Sequence, residues 1–188
     1  MNRLSHIDSG WTLFLDRDGV INVRFPGDYV KHPGEFEFIP GAKEAIAKLS
    51  AVFGKIIVVT NQQGIAKGFY SHEDLLAIHD FMTEEIDAAG GKIDAVYYAP
   101  QLAAENSPMR KPGIGMAVQA QKDFPEIDFS KSVMVGDSDS DMEFARRAGM
   151  KAFFVGDKNE LATPVEGIFD SLADFAAKAF SANPEGKQ

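Results

Sequence analysis

Short apolar runs alternate along this chain with longer amphipathic stretches. The short runs are almost continuously apolar, which is typical of strands that are covered on both faces of a sheet. They predict strands at residues 12–16, 55–60, 93–98, 132–136 and 151–155. Because strand and helix signals alternate, the pattern indicates repeated βαβ units around a central parallel sheet.

Amphipathic helices are predicted between these strands, because apolar residues recur there at helical spacing. The first two sets of apolar positions are Ala42, Ala45, Ile46, Leu49 and Phe53, and then Leu75, Ile78, Met82 and Ile86. Ser71 is the expected N-cap of the second helix, which should end at the pair Gly90-Gly91. Further helices are predicted at residues 113–124, 140–148 and 171–180, followed by a frayed polar tail at residues 181–188.

The chain has 188 residues, a length that suits one domain and is short for two. We therefore expect one domain over residues 1–188, with its ordered core at about residues 11–180. The predicted fold is α/β, with three layers in a Rossmann-like arrangement around the parallel sheet. The loop at about residues 21–40 is long enough for a flap but not for a folded lid, so no large cap domain is expected.

Charge and cysteine content exclude several classes of function. The net charge is −9, and nucleic-acid binding depends on clustered lysines and arginines, so no nucleic-acid partner is expected. The absence of cysteine excludes disulfides and thiolate metal sites. No apolar run approaches the roughly 18 residues of a membrane span, and the N-terminus lacks a secretory pattern. We therefore expect a cytoplasmic protein with no membrane partner; a monomer is compatible with the sequence, which leaves the oligomeric state open.

Polar side chains gather where the predicted strands end. Asp16 and Asp18 follow the first strand, Thr60 ends the second, and Asp137 follows the fourth, while Lys111 precedes a predicted helix. The carboxyl ends of parallel strands face one crevice, so we expect these side chains to meet there. Carboxylates bind a hard cation such as Mg²⁺, and lysine and threonine can hold phosphoryl oxygens. This combination indicates phosphoryl transfer.

Four segments resemble, in order, the motifs of the haloacid dehalogenase (HAD) superfamily of phosphohydrolases. The segments are Asp16-Arg17-Asp18-Gly19, Thr60-Asn61, Lys111-Pro112, and Gly136-Asp137 with Asp141. The match spans about residues 11–156. Each segment alone could be an ordinary turn, strand end or surface lysine. Their ordered co-occurrence is far more specific.

The resemblance implies a role for each of these groups. Asp16 would be the nucleophile that forms an aspartyl-phosphate, and Asp18 would be the general acid and then the general base. Thr60 and Lys111 would hold the equatorial oxygens of the transferring phosphoryl group. Mg²⁺ would be bound by the Asp16 carboxylate, the main-chain carbonyl of Asp18 and the Asp137 carboxylate.

Longer strings resemble the branch of the superfamily that contains heptose bisphosphate phosphatases and histidinol phosphatases. These strings are residues 14–22, 59–66 and 110–112, and residues 21–22, 28–30 and 36–41 favour the heptose enzymes. The expected substrate is a small phosphorylated metabolite of the sugar phosphate type, with histidinol phosphate as the alternative. The residues expected to bind it are Asn61, Gln62, Gln63, Arg110 and Lys111. The surrounding loops add Arg24, Asp28, Tyr29, Lys31 and Lys67 as candidates.

Many members of this branch hold a structural zinc ion in the loop before Arg110, on cysteines and a histidine. The matching positions here read Ala99-Pro100-Gln101 and Ser107-Pro108-Met109, so no zinc is expected. Prolines and local packing are expected to hold the loop instead.

Two further acidic residues follow Asp137, and four histidines are spread along the chain. Asp139 is expected to be structural, whereas Asp141 is open between a capping role and support of the metal site. The histidines, His6, His32, His72 and His79, share no ligand spacing, and none is assigned to chemistry.

A response-regulator receiver module is the alternative from a different class, because it also forms an aspartyl-phosphate around Mg²⁺. Asp18 argues against a stable phosphorylated switch, since it would promote turnover. The chain also exceeds the roughly 120 residues expected of a flavodoxin-like receiver. The enzyme is therefore the favoured hypothesis.

Overall fold

The computed structural model describes residue 4 and residues 6–157 and 161–178. The strands are β1 (Thr12–Leu15), β2 (Lys55–Asn61), β3 (Ala95–Ala99), β4 (Ser132–Gly136), β5 (Lys151–Val155) and β6 (Gly167–Phe169). The helices are α1 (Ala42–Ser50), α2 (His72–Ala88), α3 (Gly115–Asp123), α4 (Asp139–Ala148) and α5 (Leu172–Lys178). The six strands form one parallel sheet, so the predicted α/β class is confirmed.

Helices cover both faces of the sheet. Alternate residues of each strand point to opposite sides, so each face packs into its own core. Leu13 and Leu15 belong to a core with buried residues of α1, α2 and α5. Phe14, between them in sequence, belongs to a second core with residues of α3 and α4. The predicted three layers follow from this alternation.

The strand order is β3-β2-β1-β4-β5-β6, so the chain builds outward from β1 in one direction and then in the other. In parallel sheets this reversal opens a crevice at the carboxyl ends of the central strands. Leu15 of β1 is level with both Val58 of β2 and Val135 of β4, and Asp16 N donates to Val135 O at 3.0 Å. The strand β1 ends at this level, whereas β2 continues to Asn61 and β4 to Gly136, so Asp16 lies beside the last residues of both neighbouring strands.

Several element boundaries differ from those predicted. The strand β6 was not predicted, because three residues give too short a pattern. The strand β3 begins at Ala95 rather than at residue 93, since Asp94 instead binds both main-chain groups of Ile56. The helix α1 ends before Phe53, which packs in the core beyond the helix. The predicted tail at 181–188, and the last two residues of the predicted helix 171–180, lie outside the described residues.

The start of α2 agrees with the sequence. Ser71 accepts a hydrogen bond from Asp74 N, and the Asp74 carboxylate accepts one from Ser71 N, which together make a capping box. The predicted N-cap at Ser71 is confirmed.

The loop at residues 21–40 forms a flap beside the crevice. Its two ends are joined by hydrogen bonds from Val23 N to Glu37 O at 2.8 Å and from Ile39 N to Ile21 O at 2.9 Å. Its only helical element in the described chain is the 3₁₀ turn Pro33–Glu35, so it is a loop and not a folded lid. Among the described helices, none has the length and apolar character needed to cross a bilayer.

Leu15→Ala is expected to lower the free energy of unfolding by about 2–5 kcal/mol, because it leaves a cavity in the core directly before Asp16. Leu76→Ala is the matched control, since this α2 side chain is 50% exposed, and it should change stability by less than about 0.5 kcal/mol. Urea denaturation of both variants measures the difference. Equal losses would contradict the burial of Leu15.

Candidate active site

A buried lysine lies at the centre of the crevice. Lys111 Nζ donates to Asp16 Oδ1 at 2.8 Å and to Val59 O at 2.7 Å, and it lies 2.6 Å from Asp141 Oδ1. Lys111 Nζ thus has three oxygen partners, two through hydrogen bonds and Asp141 through an ion pair, and an ammonium group has only three N–H donors. The contact with a phosphoryl oxygen that the sequence predicts would therefore require that oxygen to share or replace one of these acceptors.

Asn61 fixes the main chain of Lys111. Asn61 Oδ1 accepts from Lys111 N at 3.0 Å, and Asn61 Nδ2 donates to Lys111 O at 3.2 Å. Asn61 borders the crevice, as expected of a substrate-binding residue, but its amide is used to position the lysine. This pairing ties the end of β2 to the loop that carries Lys111.

Two carboxylates contact the lysine, and a third lies beside them. One oxygen each of Asp16, Asp137 and Asp141 lie within 4.8 Å of one another. Asp141 Oδ2 accepts from Ser138 N at 3.1 Å and from Ser138 Oγ at 2.6 Å, which caps α4, while Asp141 Oδ1 faces Lys111. Asp141 therefore both caps a helix and pairs with the buried cation.

The cluster holds more negative charge than its cations balance. Burial raises the pKa of Asp16 well above its ordinary value and the Asp141 charge raises it further, although Lys111 opposes both effects. Burial, again with Asp141, raises the pKa of Asp137 to about 6. Burial lowers the pKa of Lys111, but Asp141 and Asp16 outweigh it and hold that pKa above its ordinary value. A proton or another cation is thus favoured at these carboxylates.

The donor set fits a hard divalent cation. Carboxylate oxygens are the ligands that Mg²⁺ prefers in proteins. Gly19, with φ of 91°, lies against Asp137, and a Cβ at this position would collide with the Asp137 carboxylate. The loop after β1 can therefore approach the carboxylate after β4 closely enough for Asp16 and Asp137 to share one ion.

Asp18 is held by three donors from different residues. Arg17 Nη2 and Asn22 Nδ2 donate to Asp18 Oδ1 at 2.9 Å each, and Gln62 Nε2 donates to Asp18 Oδ2 at 2.8 Å. Burial raises the pKa of Asp18, but the Arg17 charge and these hydrogen bonds outweigh it and lower that pKa below its ordinary value. The substrate-free protein therefore holds Asp18 as an ionised carboxylate.

His79 contacts Arg17, which in turn holds Asp18. The sequence pattern assigned neither Arg17 nor His79 a role at the site. Arg17 Nη1 lies 3.1 Å from His79 Nε2, and both residues are buried. An arginine only donates, so His79 Nε2 accepts and the imidazole is neutral. Burial and the Arg17 charge lower the pKa of His79 to about 3. The sequence signal that could have found His79 was its helical spacing from Leu75 and Met82 on the buried face of α2.

Gln62 lies beneath the crevice and not in its wall, although the sequence predicts that it binds substrate. Its side chain is fully buried. Gln62 Nε2 donates to Thr60 Oγ1 at 2.8 Å as well as to Asp18, and Gln62 Oε1 accepts from the Tyr70 hydroxyl at 2.6 Å. Gln63, in contrast, borders the crevice.

The crevice contains a cavity of about 350 Å³ above the carboxylates. Its wall includes Arg24 of the flap, Lys67 and Arg110, which come from three different segments. Arg24 Nη1 donates to Asp137 Oδ2 at 3.2 Å, whereas Arg110 Nη1 is buried with no hydrogen-bond partner among the described residues. Arginine is suited to bind phosphate or carboxylate in a fork geometry, so the wall can hold a second anionic group.

The loop before Arg110 is closed by its own hydrogen bonds. Glu105 Oε1 accepts from Leu102 N at 2.8 Å, and Pro108 O accepts from Gly115 N at 2.8 Å. A Cβ on Gly115 would approach the same carbonyl too closely, which ties the loop to the start of α3. This part of the chain is thus organised without cysteine ligands.

The fold and the site together define a hydrolase of the HAD-like class. Residues 108–177 match the family model described as HAD-hydrolase-like. A D-glycero-alpha-D-manno-heptose-1,7-bisphosphate 7-phosphatase of Mycobacterium bovis is 36% identical over 179 residues, which cover 93% of this chain and 94% of that protein. A D-glycero-beta-D-manno-heptose-1,7-bisphosphate 7-phosphatase of Vibrio cholerae is 41% identical over 145 residues, covering 73% of this chain and 76% of that protein.

A solved structure of similar fold is D,D-heptose 1,7-bisphosphate phosphatase of B. bronchiseptica, complexed with magnesium and phosphate. Its TM-score is 0.78 at 30% identity, and the match covers 89% of this chain and 96% of that one. The corresponding enzyme of Burkholderia thailandensis gives a TM-score of 0.68 at 32% identity, over 92% and 99% of the two chains. The chain belongs to the heptose-1,7-bisphosphate 7-phosphatase family of HAD-like hydrolases.

The buried neutral His79 is expected to make stability depend on pH. Its pKa is about 3 in the folded protein and about 6.5 in an unfolded chain. Between these values the unfolded chain binds more protons, so this contribution is complete above about pH 6.5 and is lost as the pH falls toward about 3. Within that window, the free energy of unfolding falls by up to about 1.4 kcal/mol for each pH unit.

His79→Gln tests this expectation, because glutamine keeps an acceptor for Arg17 but does not titrate. Urea midpoints between about pH 5 and 7 should fall less steeply with decreasing pH in this variant than in the wild type. His72→Gln, at the exposed start of α2, is the control and should keep the wild-type slope. Equal slopes for His79→Gln and the wild type would contradict a neutral imidazole at this position.

Proposed function

We propose that this protein is a Mg²⁺-dependent phosphomonoesterase that removes the 7-phosphate of D-glycero-D-manno-heptose 1,7-bisphosphate. The observation that carries the chemistry is the buried contact of Lys111 Nζ with Asp16 Oδ1 at 2.8 Å, beside the Asp137 and Asp141 carboxylates. The choice of substrate is supported by relatives at 36% and 41% identity that are named for this reaction.

Asp16, Asp137 and the main-chain carbonyl of Asp18 would hold the Mg²⁺ ion. When bound, the ion supplies positive charge that favours ionised Asp16 and reduces the repulsion between its carboxylate and the substrate phosphate. The similar B. bronchiseptica enzyme is complexed with magnesium and phosphate, which supports this choice of metal.

The reaction proceeds in two steps. In the first, the Asp16 carboxylate attacks phosphorus, the bond between phosphorus and the sugar oxygen breaks, and Asp18 gives its proton to the departing oxygen. In the second, Asp18 takes a proton from a water molecule, whose oxygen attacks the phosphorus of the aspartyl-phosphate. Inorganic phosphate leaves and the Asp16 carboxylate is restored.

Asp18 must carry a proton when the sugar oxygen departs, although its pKa is low in the substrate-free protein. A phosphate dianion bound beside Asp18 raises that pKa, because it disfavours a second negative charge nearby. The carboxyl group therefore takes up its proton together with the substrate.

The basic wall of the cavity suits a substrate that carries two phosphate groups. Arg24, Lys67 and Arg110 border the same cavity as Asp16, and the buried Arg110 Nη1 lacks a partner among the described residues. A second phosphate of the substrate would supply that partner and orient the sugar. The flap that carries Arg24 is short, which leaves room for a metabolite of sugar size.

Asp16→Asn is expected to reduce phosphate release by at least about 1,000-fold, because an amide oxygen cannot replace the attacking carboxylate. Asp139→Asn is the matched control: Asp139 accepts hydrogen bonds from Ala162 N and Thr163 N and does not border the cavity. It should keep wild-type turnover. Phosphate release and circular dichroism of both variants make the comparison, and wild-type turnover in Asp16→Asn would exclude Asp16 as the nucleophile.

The heptose bisphosphate should be hydrolysed with the highest kcat/KM among phosphomonoesters, because only a bisphosphate uses both the nucleophile and the basic wall. Both anomers are assayed, since the M. bovis relative is named for the alpha anomer and the V. cholerae relative for the beta anomer. Histidinol phosphate is the competing substrate, and a preference for it would contradict the proposed substrate. No release from any phosphomonoester would contradict the proposed reaction.

A further inference from the structure

One buried amide connects two groups that act on the phosphate. Gln62 Nε2 donates to Thr60 Oγ1 and to Asp18 Oδ2, each at 2.8 Å. A carboxylate only accepts hydrogen bonds when ionised, so the nitrogen of the Gln62 amide must face Asp18 and its oxygen must face away. The orientation of this amide is therefore fixed by its neighbours.

The amide also determines how the Thr60 hydroxyl is used. A hydroxyl can donate one hydrogen bond and accept two, and Gln62 supplies a donor to its oxygen. No hydrogen bond in the described chain uses the hydroxyl proton of Thr60. That proton remains free to point into the crevice, which Thr60 borders.

Tyr70 holds the other end of Gln62. The Tyr70 hydroxyl donates to Gln62 Oε1 at 2.6 Å, and burial raises the pKa of Tyr70, so this hydroxyl remains protonated. Its ring lies directly against Gly64, where a Cβ would collide with it. The flap side chain Tyr29 packs against the ring of Tyr70 at a centroid distance of 5.9 Å. The position of the tyrosine is therefore fixed as well as that of the glutamine.

We propose that Gln62, fixed by the Tyr70 hydroxyl, is a positioning residue that aligns the Asp18 carboxyl group and the Thr60 hydroxyl for phosphoryl transfer. This inference rests on the proposed function. Gln62 is buried beneath the crevice and acts through Asp18 and Thr60, without touching substrate. Gly64 contributes by leaving the space that the Tyr70 ring fills.

The positioning role predicts a loss in kcat and not in KM. Asp18 transfers its proton as the sugar oxygen departs, and Thr60 donates to phosphoryl oxygens that gain charge in the transition state. Ground-state binding depends on the basic side chains of the cavity wall, which Gln62 does not contact. An interaction that is made only in the transition state lowers kcat when it is lost.

Tyr70→Phe is the direct test, because it removes one hydroxyl and keeps the ring against Gly64. We expect kcat to fall by roughly 10- to 100-fold, with KM changed by less than about twofold. Tyr97→Phe is the matched control, since its hydroxyl bonds Asp123 outside the crevice. It should leave both constants unchanged.

A double-mutant cycle separates positioning from general stability. Gln62→Met keeps the length of the side chain but cannot donate or accept these hydrogen bonds, so it should lower kcat at least as much as Tyr70→Phe. If Tyr70 acts through Gln62, adding Tyr70→Phe to Gln62→Met changes kcat by less than about twofold. Full additivity, or an unchanged kcat in Tyr70→Phe, would overturn the inference.

A second readout does not depend on activity. In the wild type, the side-chain amide protons of Gln62 should exchange slowly with solvent by NMR, and Tyr70→Phe should accelerate that exchange at least several-fold. Unchanged exchange would overturn the role of Tyr70. An inactive wild type with protected Gln62 protons would contradict the proposed function only, whereas an active wild type with unaffected variants would contradict only this inference.

Discussion

The site depends on one buried ammonium group that must stay between two carboxylates. Lys111 Nζ is held by Asp16, Asp141 and the carbonyl of Val59, so the ends of β1 and β2 and the start of α4 are fixed relative to one another. Removing one partner of such a buried pair typically costs about 3–5 kcal/mol. The same lysine therefore stabilises the junction of these elements and orients the candidate nucleophile.

The two carboxyl groups of the Asp16-x-Asp18 segment lie in opposite electrostatic environments. Asp16 is buried among like charges that raise its pKa, whereas Arg17 and amide donors lower the pKa of Asp18. A cation beside Asp16 and a phosphate dianion beside Asp18 would shift both values toward the protonation states that the reaction requires. Without the metal and the substrate, Asp16 and Asp18 are not in the protonation states that the reaction requires. The charges of the bound metal and substrate would produce those states.

The sequence predicts the sheet and the meeting of its polar strand ends well, because both follow from periodicity and from the geometry of parallel strands. It did not indicate the support beneath the site. Arg17 and His79 are separated by 62 positions, and the histidine follows an ordinary helical pattern. Gln62 lies next to motif residues in the sequence and so resembles a substrate ligand. In the structure it is buried, and its hydrogen bonds join it to Asp18 and Thr60 instead. Such contacts arise from long-range packing, which local patterns do not encode.

A crystal structure with Mg²⁺ and beryllium trifluoride, a mimic of an acyl phosphate, tests the central arrangement most directly. We expect the trifluoride on the Asp16 carboxylate, the ion between Asp16 and Asp137, and Lys111 and Thr60 beside the fluorine atoms. An adduct on another carboxylate, or an ion bound away from Asp16 and Asp137, would contradict the account.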